Sequence, residues 1–141
     1  MAEHLTQSEE ETEALAARLG LGFRGGEVVL LSGELGAGKT AFVRGLARGL
    51  GADPSEVASP TFVLRTHYRG RLTLHHVDLY RLAGTGDDCE LGLEELPGDL
   101  GVLAVEWPER LSDVPWPDPW RIALEHAGGD SRRLTIEGGR P

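Results

Sequence analysis

The sequence predicts an α/β fold of three layers built around a mixed β-sheet. An apolar run of strand length, Glu27–Ser32, leads into a glycine-rich loop and then into a helical pattern at Thr40–Leu50. Two further pairs of strand-like segments are joined by short turns, and such pairs form antiparallel hairpins. A purely parallel sheet contains no hairpins, so we expect parallel and antiparallel strands in one sheet. At this length, residues 1–141 are expected to form a single domain.

A helix is predicted near the start of the chain. Ser8 and Glu11 have the spacing of a capping box, and the acidic residues between them suit the positive end of a helix dipole. Leu15 and Leu19 continue one apolar face, and the glycines at positions 20 and 22 end the helix.

The remaining elements are mostly strands. The predicted strands are, in chain order, Phe62–Tyr68, Arg71–Asp78, Gly101–Glu106, Trp120–His126 and Arg132–Glu137. The first two and the last two form hairpins, because short glycine-containing turns join them. A short helix is expected at Glu90–Leu96, and the proline-rich segment Trp107–Pro119 is expected to be irregular.

The glycine-rich loop carries the most specific motif of the chain. Residues Gly33–Thr40 match G-x-x-x-x-G-K-[ST], the phosphate-binding loop (P-loop) of nucleotide hydrolases and kinases. Lys39 is the only lysine among 141 residues, and its compact ammonium fits between phosphate oxygens better than a planar guanidinium. A plain glycine turn is the alternative, but the preceding strand and following helix favour the motif. We therefore expect a P-loop NTPase fold that binds a nucleoside phosphate.

Each residue of the loop has an expected role. Successive backbone amides form a concave anion site, to which the helix N-terminus adds partial positive charge. Lys39 is expected to contact the β- and γ-phosphates, and the Thr40 hydroxyl to ligate Mg²⁺. The predicted nucleotide-binding residues are Glu34, Leu35, Gly36, Ala37, Gly38, Lys39 and Thr40.

Two acidic residues are candidates for the magnesium site. Asp78 and Glu106 each end a predicted strand, where a P-loop protein places the acid that holds Mg²⁺ through water. One of them could hold the metal while the other orients the attacking water, and the sequence does not assign these roles. A solvated acid at a strand end is the alternative for each.

Two other sets of residues bear on the predicted site, a segment after the P-loop helix and three histidines. Ser59–Phe62, with Thr61 as a candidate catalytic residue, follows the P-loop helix, where many P-loop proteins place a segment that senses the γ-phosphate. A plain turn is the alternative. His67, His75 and His76 do not predict a zinc cluster, because adjacent strand residues point to opposite faces.

Composition narrows the class of protein. The net charge of −9 is a poor match for unaided nucleic-acid binding, which depends on basic patches. A single cysteine, Cys89, excludes an internal disulfide, and the N-terminal residues lack the layout of a signal peptide, so we expect a cytoplasmic protein. The chain contains no asparagine and therefore no N-K-x-D guanine motif, which favours ATP over GTP.

In chain order, four motifs closely resemble those of the bacterial TsaE (YjeE) family: Gly33–Thr40, Ser59–Phe62, His76–Leu82 and Val105–Arg110. The resemblance implies a small ATPase required for making threonylcarbamoyladenosine beside the tRNA anticodon. It also implies docking on a heterodimer of TsaD, which transfers the threonylcarbamoyl group, and TsaB. ATP hydrolysis would then support repeated cycles of transfer, and tRNA would be reached only through the complex.

The resemblance also implies roles for individual residues. Mg²⁺ ligation falls on Thr40 and Glu106, with Asp78 close by, and Thr12 and Arg133 fall near the base. Two other hypotheses stay open: a small-molecule kinase, which would need an acceptor pocket and a lid, and a nucleotide-dependent binding module with negligible turnover.

Overall fold

The computed structural model describes residues 2–34, 36–57, 65–80, 93–111 and 113–139. The two α-helices in these ranges are α1 (Glu9–Leu21) and α2 (Lys39–Gly49). The strands are β1 (Ala2–Thr6), β2 (Val28–Ser32), β3 (Arg65–Tyr68), β4 (Thr73–Asp78), β5 (Gly101–Glu106), β6 (Trp120–His126) and β7 (Arg132–Gly138). Short 3₁₀ turns occupy Pro54–Glu56, Leu93–Glu95 and Pro108–Arg110.

The described strands form one seven-stranded sheet in the order β1-β7-β6-β2-β5-β4-β3. Its centre, β6-β2-β5-β4, is parallel, and β3, β7 and β1 add to it antiparallel. The prediction of an α/β fold with a mixed sheet is therefore confirmed. Both predicted hairpins are present, as β3–β4 and β6–β7, while residues 62–64 of the first predicted strand lie outside the described part of the chain.

Two elements differ from the sequence prediction. β1 was not predicted, because four of its five residues are exposed and an edge strand of this kind shows no alternation of apolar and polar residues. The helix predicted at Glu90–Leu96 is, in its described part, only the 3₁₀ turn Leu93–Glu95. Pro97 follows directly, and the residue before a proline is disfavoured in helical conformation.

The predicted cap of α1 is present. The Ser8 hydroxyl accepts a hydrogen bond from the Glu11 amide at 3.1 Å. The Glu11 carboxylate in turn accepts from the amide of Gln7 at 3.3 Å, one residue earlier than an ideal capping box would place it. The helix begins where the sequence pattern indicates.

The central strand β2 is buried on both faces. Val29 and Leu31 belong to the apolar cluster that contains residues of α1 and α2. Val28 and Leu30 point to the opposite face, where residues before and after β5, among them Leu93 and Trp116, pack against the sheet. No helix in the described ranges is long and apolar enough to cross a bilayer.

The two helices approach each other closely through glycine. A Cβ atom at Gly45 would lie 2.3 Å from the carbonyl oxygen of Glu13 and 2.7 Å from the Cβ of Ala16. Arg44, the neighbouring residue, forms an ion pair with the Glu13 carboxylate at 2.8 Å. α1 is therefore held against α2, the helix that begins in the phosphate-binding motif.

Replacing Gly45 by alanine should destabilise the protein. The added methyl group overlaps backbone atoms of α1, and such overpacking costs about 1–3 kcal/mol. Gly22→Ala is the matched control, because its new Cβ would have no neighbour nearer than 3.6 Å. Urea unfolding should show a lower free energy of unfolding for Gly45→Ala, and equal stability of the two variants would contradict this packing.

Candidate nucleotide site

The phosphate-binding loop lies at the carboxyl end of β2. This strand is flanked by β5 on one side and β6 on the other, and both run parallel to it. The carboxyl ends of parallel strands at such a branching point form the crevice in which α/β proteins bind ligands. Residues 33–38 connect this edge to α2.

Glycines shape the loop at both ends. Gly33 has a φ of 151°, and a Cβ there would lie 2.6 Å from the carbonyl oxygen of Leu124. Gly38 has a φ of 102° and directly precedes α2. The Phe42 amide donates to the Gly38 carbonyl at 3.0 Å, so the amides of residues 39–41 precede the first helical hydrogen bond. That helix end suits a bound anion.

Lys39 is buried within the loop. Its side chain is 5% exposed, and its ammonium donates to the carbonyl oxygens of Gly33 and, at 3.3 Å, of Glu34. The Nζ atom also lies 3.8 Å from the centre of the Trp107 ring. Burial lowers the pKa of Lys39, and the negative charge of Glu106 is the strongest effect that opposes this lowering. A cation is thus held where the motif places the phosphates.

The two predicted acids come together. Asp78 and Glu106 are register partners on the adjacent parallel strands β4 and β5. Burial raises the pKa of Asp78, and the nearby Glu106 carboxylate raises it further, against the lowering effects of the Tyr80 amide, His76 and Lys39. The charge of Glu106 thus disfavours ionisation of Asp78, and a cation beside the two carboxylates would relieve this.

Three hard oxygen donors are suited to Mg²⁺. They are the Thr40 hydroxyl and the carboxylates of Asp78 and Glu106. Within the described ranges, no three His, Cys, Asp or Glu side chains converge on one point. A magnesium ion here would therefore complete its coordination with nucleotide phosphates and water, as Mg²⁺ commonly does.

Two aromatic residues near the acids were missed by sequence reasoning. Trp107, which the sequence places only at the start of an irregular proline-rich segment, follows β5 with a φ of 61°. Its ring centre lies 5.1 Å from that of Tyr80, and the ring faces Lys39. The sequence signal that could have pointed to Trp107 is its position directly after Glu106. His76 begins the family motif His76–Leu82 but receives no role from the sequence, yet its Nε2 lies 2.6 Å from Oε2 of Glu106.

The residues expected near the base have other partners in the structure. The Thr12 hydroxyl is buried and shares a hydrogen bond of 2.7 Å with the Thr6 hydroxyl. Arg133 pairs with Glu3 on β1 at 3.3 Å. Its neighbour Arg132, which sequence reasoning did not select, donates to the Gly36 carbonyl of the loop at 3.3 Å. Thr61, the segment Ser59–Phe62 and Leu35 lie outside the described residues.

A cleft of about 360 Å³ opens beside the loop. One wall is formed by Ser32, Gly33, Glu34 and Ala37, and the other by residues 123–126 at the end of β6. The volume lies within the range of small-molecule pockets, which begins at about 300 Å³. A cleft of small-molecule size therefore adjoins the glycine-rich loop.

Comparisons with known proteins identify the family of the chain. A family model described as "Threonylcarbamoyl adenosine biosynthesis protein TsaE" matches residues 6–134. The tRNA threonylcarbamoyladenosine biosynthesis protein TsaE of Treponema pallidum is 45% identical over 94% of this chain and 97% of its own. The Bacillus subtilis protein of the same name is 39% identical over 93% of this chain and 82% of its own.

A solved structure supports the fold. The crystal structure of Bacillus subtilis YdiB superposes with a TM-score of 0.78 and 33% sequence identity, covering 99% of this chain and 86% of that one. The family match spans most of the chain and includes the loop and both acids. The chain belongs to the TsaE family of tRNA threonylcarbamoyladenosine biosynthesis proteins.

Proposed function

We propose that residues 1–141 form one P-loop domain that binds and hydrolyses ATP with Mg²⁺, as an accessory subunit in tRNA threonylcarbamoyladenosine formation. Support comes from one arrangement: Lys39 is buried in the loop, and Asp78 and Glu106 end the neighbouring strands in register. This is the set of groups that phosphoryl-transfer sites use to bind phosphates and to position water. The protein acts in the cytoplasm in this proposal.

The loop and Lys39 bind the phosphates. Backbone amides at the start of α2 donate to phosphate oxygens, and the Lys39 ammonium turns its hydrogen bonds from the Gly33 and Glu34 carbonyls to the β- and γ-phosphates. Mg²⁺, when bound, neutralises charge on these phosphates. The cleft beside β6 takes the nucleoside, with Arg132 nearest the loop and Thr12 and Arg133 as further candidates near the base.

The acids position water at the phosphate. Glu106 is almost fully buried, and Asp78 lies opposite it in the register, so both carboxylates are confined to one edge of the sheet. One carboxylate orients the attacking water, and the other, with Thr40, holds the metal or its water ligands.

One arginine that a small-molecule kinase could use for its acceptor phosphate has other partners in the structure. A kinase could use an arginine to bind the acceptor phosphate, and the sequence offers Arg65, Arg69, Arg71 and Arg81 for this role. Arg71 is engaged elsewhere. Its guanidinium donates instead to the carbonyls of Gly20 at 2.7 Å and Phe23 at 2.8 Å, at the end of α1. Arg71 therefore has a structural role and is not available to bind an acceptor phosphate.

The partners proposed are the TsaB and TsaD proteins, with tRNA contacted only through them. A net charge of −9 opposes a direct grip on RNA phosphates. The single glutamine, Gln7, lies outside the site, so the chain has no glutamine to orient water as some P-loop NTPases do. Slow hydrolysis in isolation and stimulation by partners follow from these features.

Phosphate release should be slow for the purified chain and should rise at least about tenfold when the TsaB–TsaD pair is added, as P-loop hydrolases respond to partners that complete the site. Thr61→Ala should lose this stimulation while ATP affinity stays near wild type. Rapid phosphorylation of a small metabolite would instead support a kinase, and tight tRNA binding by the chain alone at physiological salt would contradict the proposed partners.

Glu106→Gln and Asp78→Asn should retain ATP binding but hydrolyse it at least about 100-fold more slowly, because the amides keep the volume and lose the charge. Glu109→Gln is the matched control, since Glu109 is exposed and affects Lys39 only through its charge. Calorimetric ATP binding and a phosphate-release assay should be run on all three variants. Wild-type turnover in both site variants would place the catalytic acids elsewhere.

A further inference from the structure

A buried histidine lies directly behind Glu106. Nε2 of His76 is 2.6 Å from Oε2 of Glu106, and its Nδ1 is 3.4 Å from the Tyr68 hydroxyl. The exposed fractions of the three residues are 0% for His76, 3% for Glu106 and 5% for Tyr68. The result is a Tyr68–His76–Glu106 chain of polar groups that runs from the core to the end of β5.

The sheet register brings these residues together. On β4, Leu74, His76 and Asp78 alternate with residues that point to the other face. Ala104 is the register partner of His76 on β5 and is followed two residues later by Glu106. Because the side chain of Ala104 is small, the His76 imidazole has room to reach the carboxylate of Glu106, two residues further along β5.

The contact has a chemical consequence for Glu106. A buried carboxylate is costly unless hydrogen bonds compensate it, and His76 supplies one to a single oxygen, Oε2. An ionised carboxylate only accepts hydrogen bonds, so the 2.6 Å contact with Glu106 calls for a proton on Nε2 of His76, and Nδ1 can then accept from the Tyr68 hydroxyl at 3.4 Å. A glutamate side chain held at one oxygen presents the other in a fixed direction. Removing a group that orients a metal ligand in this way typically lowers metal affinity or activity by about 10–100-fold.

We propose that His76 is a positioning residue for the magnesium and water site. Its Nε2–H holds Oε2 of Glu106 so that the second carboxylate oxygen faces Mg²⁺ or a water bound to it, and Tyr68 sets which ring nitrogen bears the proton. This inference rests on the proposed function of the same site. It gives His76 a role different from that of His75, whose ring points to the opposite face and packs 6.4 Å from His67.

Four variants test the proposal. His76→Leu removes both hydrogen bonds, His76→Gln keeps an amide donor for Glu106, and Tyr68→Phe removes only the hydroxyl. His75→Gln is the matched control on the adjacent residue of the same strand. ATP affinity is measured by calorimetry with Mg²⁺ and with EDTA, and kcat and KM are measured by phosphate release in the presence of TsaB and TsaD.

His76→Leu should reduce kcat by about 10–100-fold, while ATP affinity measured with Mg²⁺ stays near wild type, as it does for Glu106→Gln. ATP affinity in EDTA and KM should stay within about twofold of wild type, since the loop and Lys39 are unchanged. His76→Gln should recover most of the loss, and His75→Gln should match wild type. A ¹⁵N NMR spectrum of the wild-type imidazoles should show the His76 proton on Nε2, whichever variants fold.

Different results would show whether the proposed function or the positioning role of His76 is wrong. If the wild-type chain shows no Mg²⁺-dependent ATP binding, the proposed function is wrong. If wild type shows it and His76→Leu behaves like His75→Gln, or His76→Gln is as impaired as His76→Leu, the positioning role of His76 is wrong. A neutral imidazole whose only ring proton is on Nδ1 would also overturn the proposal, because Nε2 would then have no hydrogen to donate.

Discussion

The burial of the Lys39 ammonium is the constraint on which the rest of the site depends. A cation that is 5% exposed needs partners, and the loop supplies the carbonyl oxygens of Gly33 and Glu34 and the face of Trp107. That arrangement requires β2 to end between β5 and β6 and α2 to begin at the lysine itself. The same placement brings two strand-end acids within electrostatic reach of the ammonium.

The charges of the site complement those of a metal–nucleotide complex. Burial lowers the pKa of Lys39, and burial together with Glu106 raises the pKa of Asp78. The acids therefore favour an added cation, and the ammonium and helix end favour an added anion. Mg²⁺ and a nucleoside phosphate would supply both at once, with His76 keeping the more buried acid oriented.

Much of the fold could be predicted because its signals are local. β5 is apolar from Gly101 to Val105, as a strand covered on both faces must be, and its predicted bounds, Gly101–Glu106, agree with the structure. Both hairpins were evident from their turns. β1 was not, because its exposed residues carry no burial pattern and its position depends on pairing with β7, far away in sequence.

The residues of the candidate site also fall into those that a local sequence pattern predicts and those that only the three-dimensional structure reveals. The role of Lys39 could be predicted from a contiguous motif, and the roles of Asp78 and Glu106 could be predicted from their positions at strand ends. The contact of His76 with Glu106 joins residues 30 positions apart and depends on the register of β4 and β5, which no local pattern specifies. Likewise, the positive φ of Trp107 aims its ring at Lys39, although a tryptophan in sequence suggests only core or interface.

ATP affinity of the Lys39→Ala variant tests the central claim most directly. The loop is formed by backbone and glycine, so the variant should fold, which circular dichroism checks, and Arg48→Ala, at an exposed position near the end of the same helix, is the control. Calorimetry should show at least about a 100-fold loss of ATP affinity for Lys39→Ala, about 2.7 kcal/mol, and little change for Arg48→Ala. Unchanged ATP affinity in a folded Lys39→Ala protein would contradict the account.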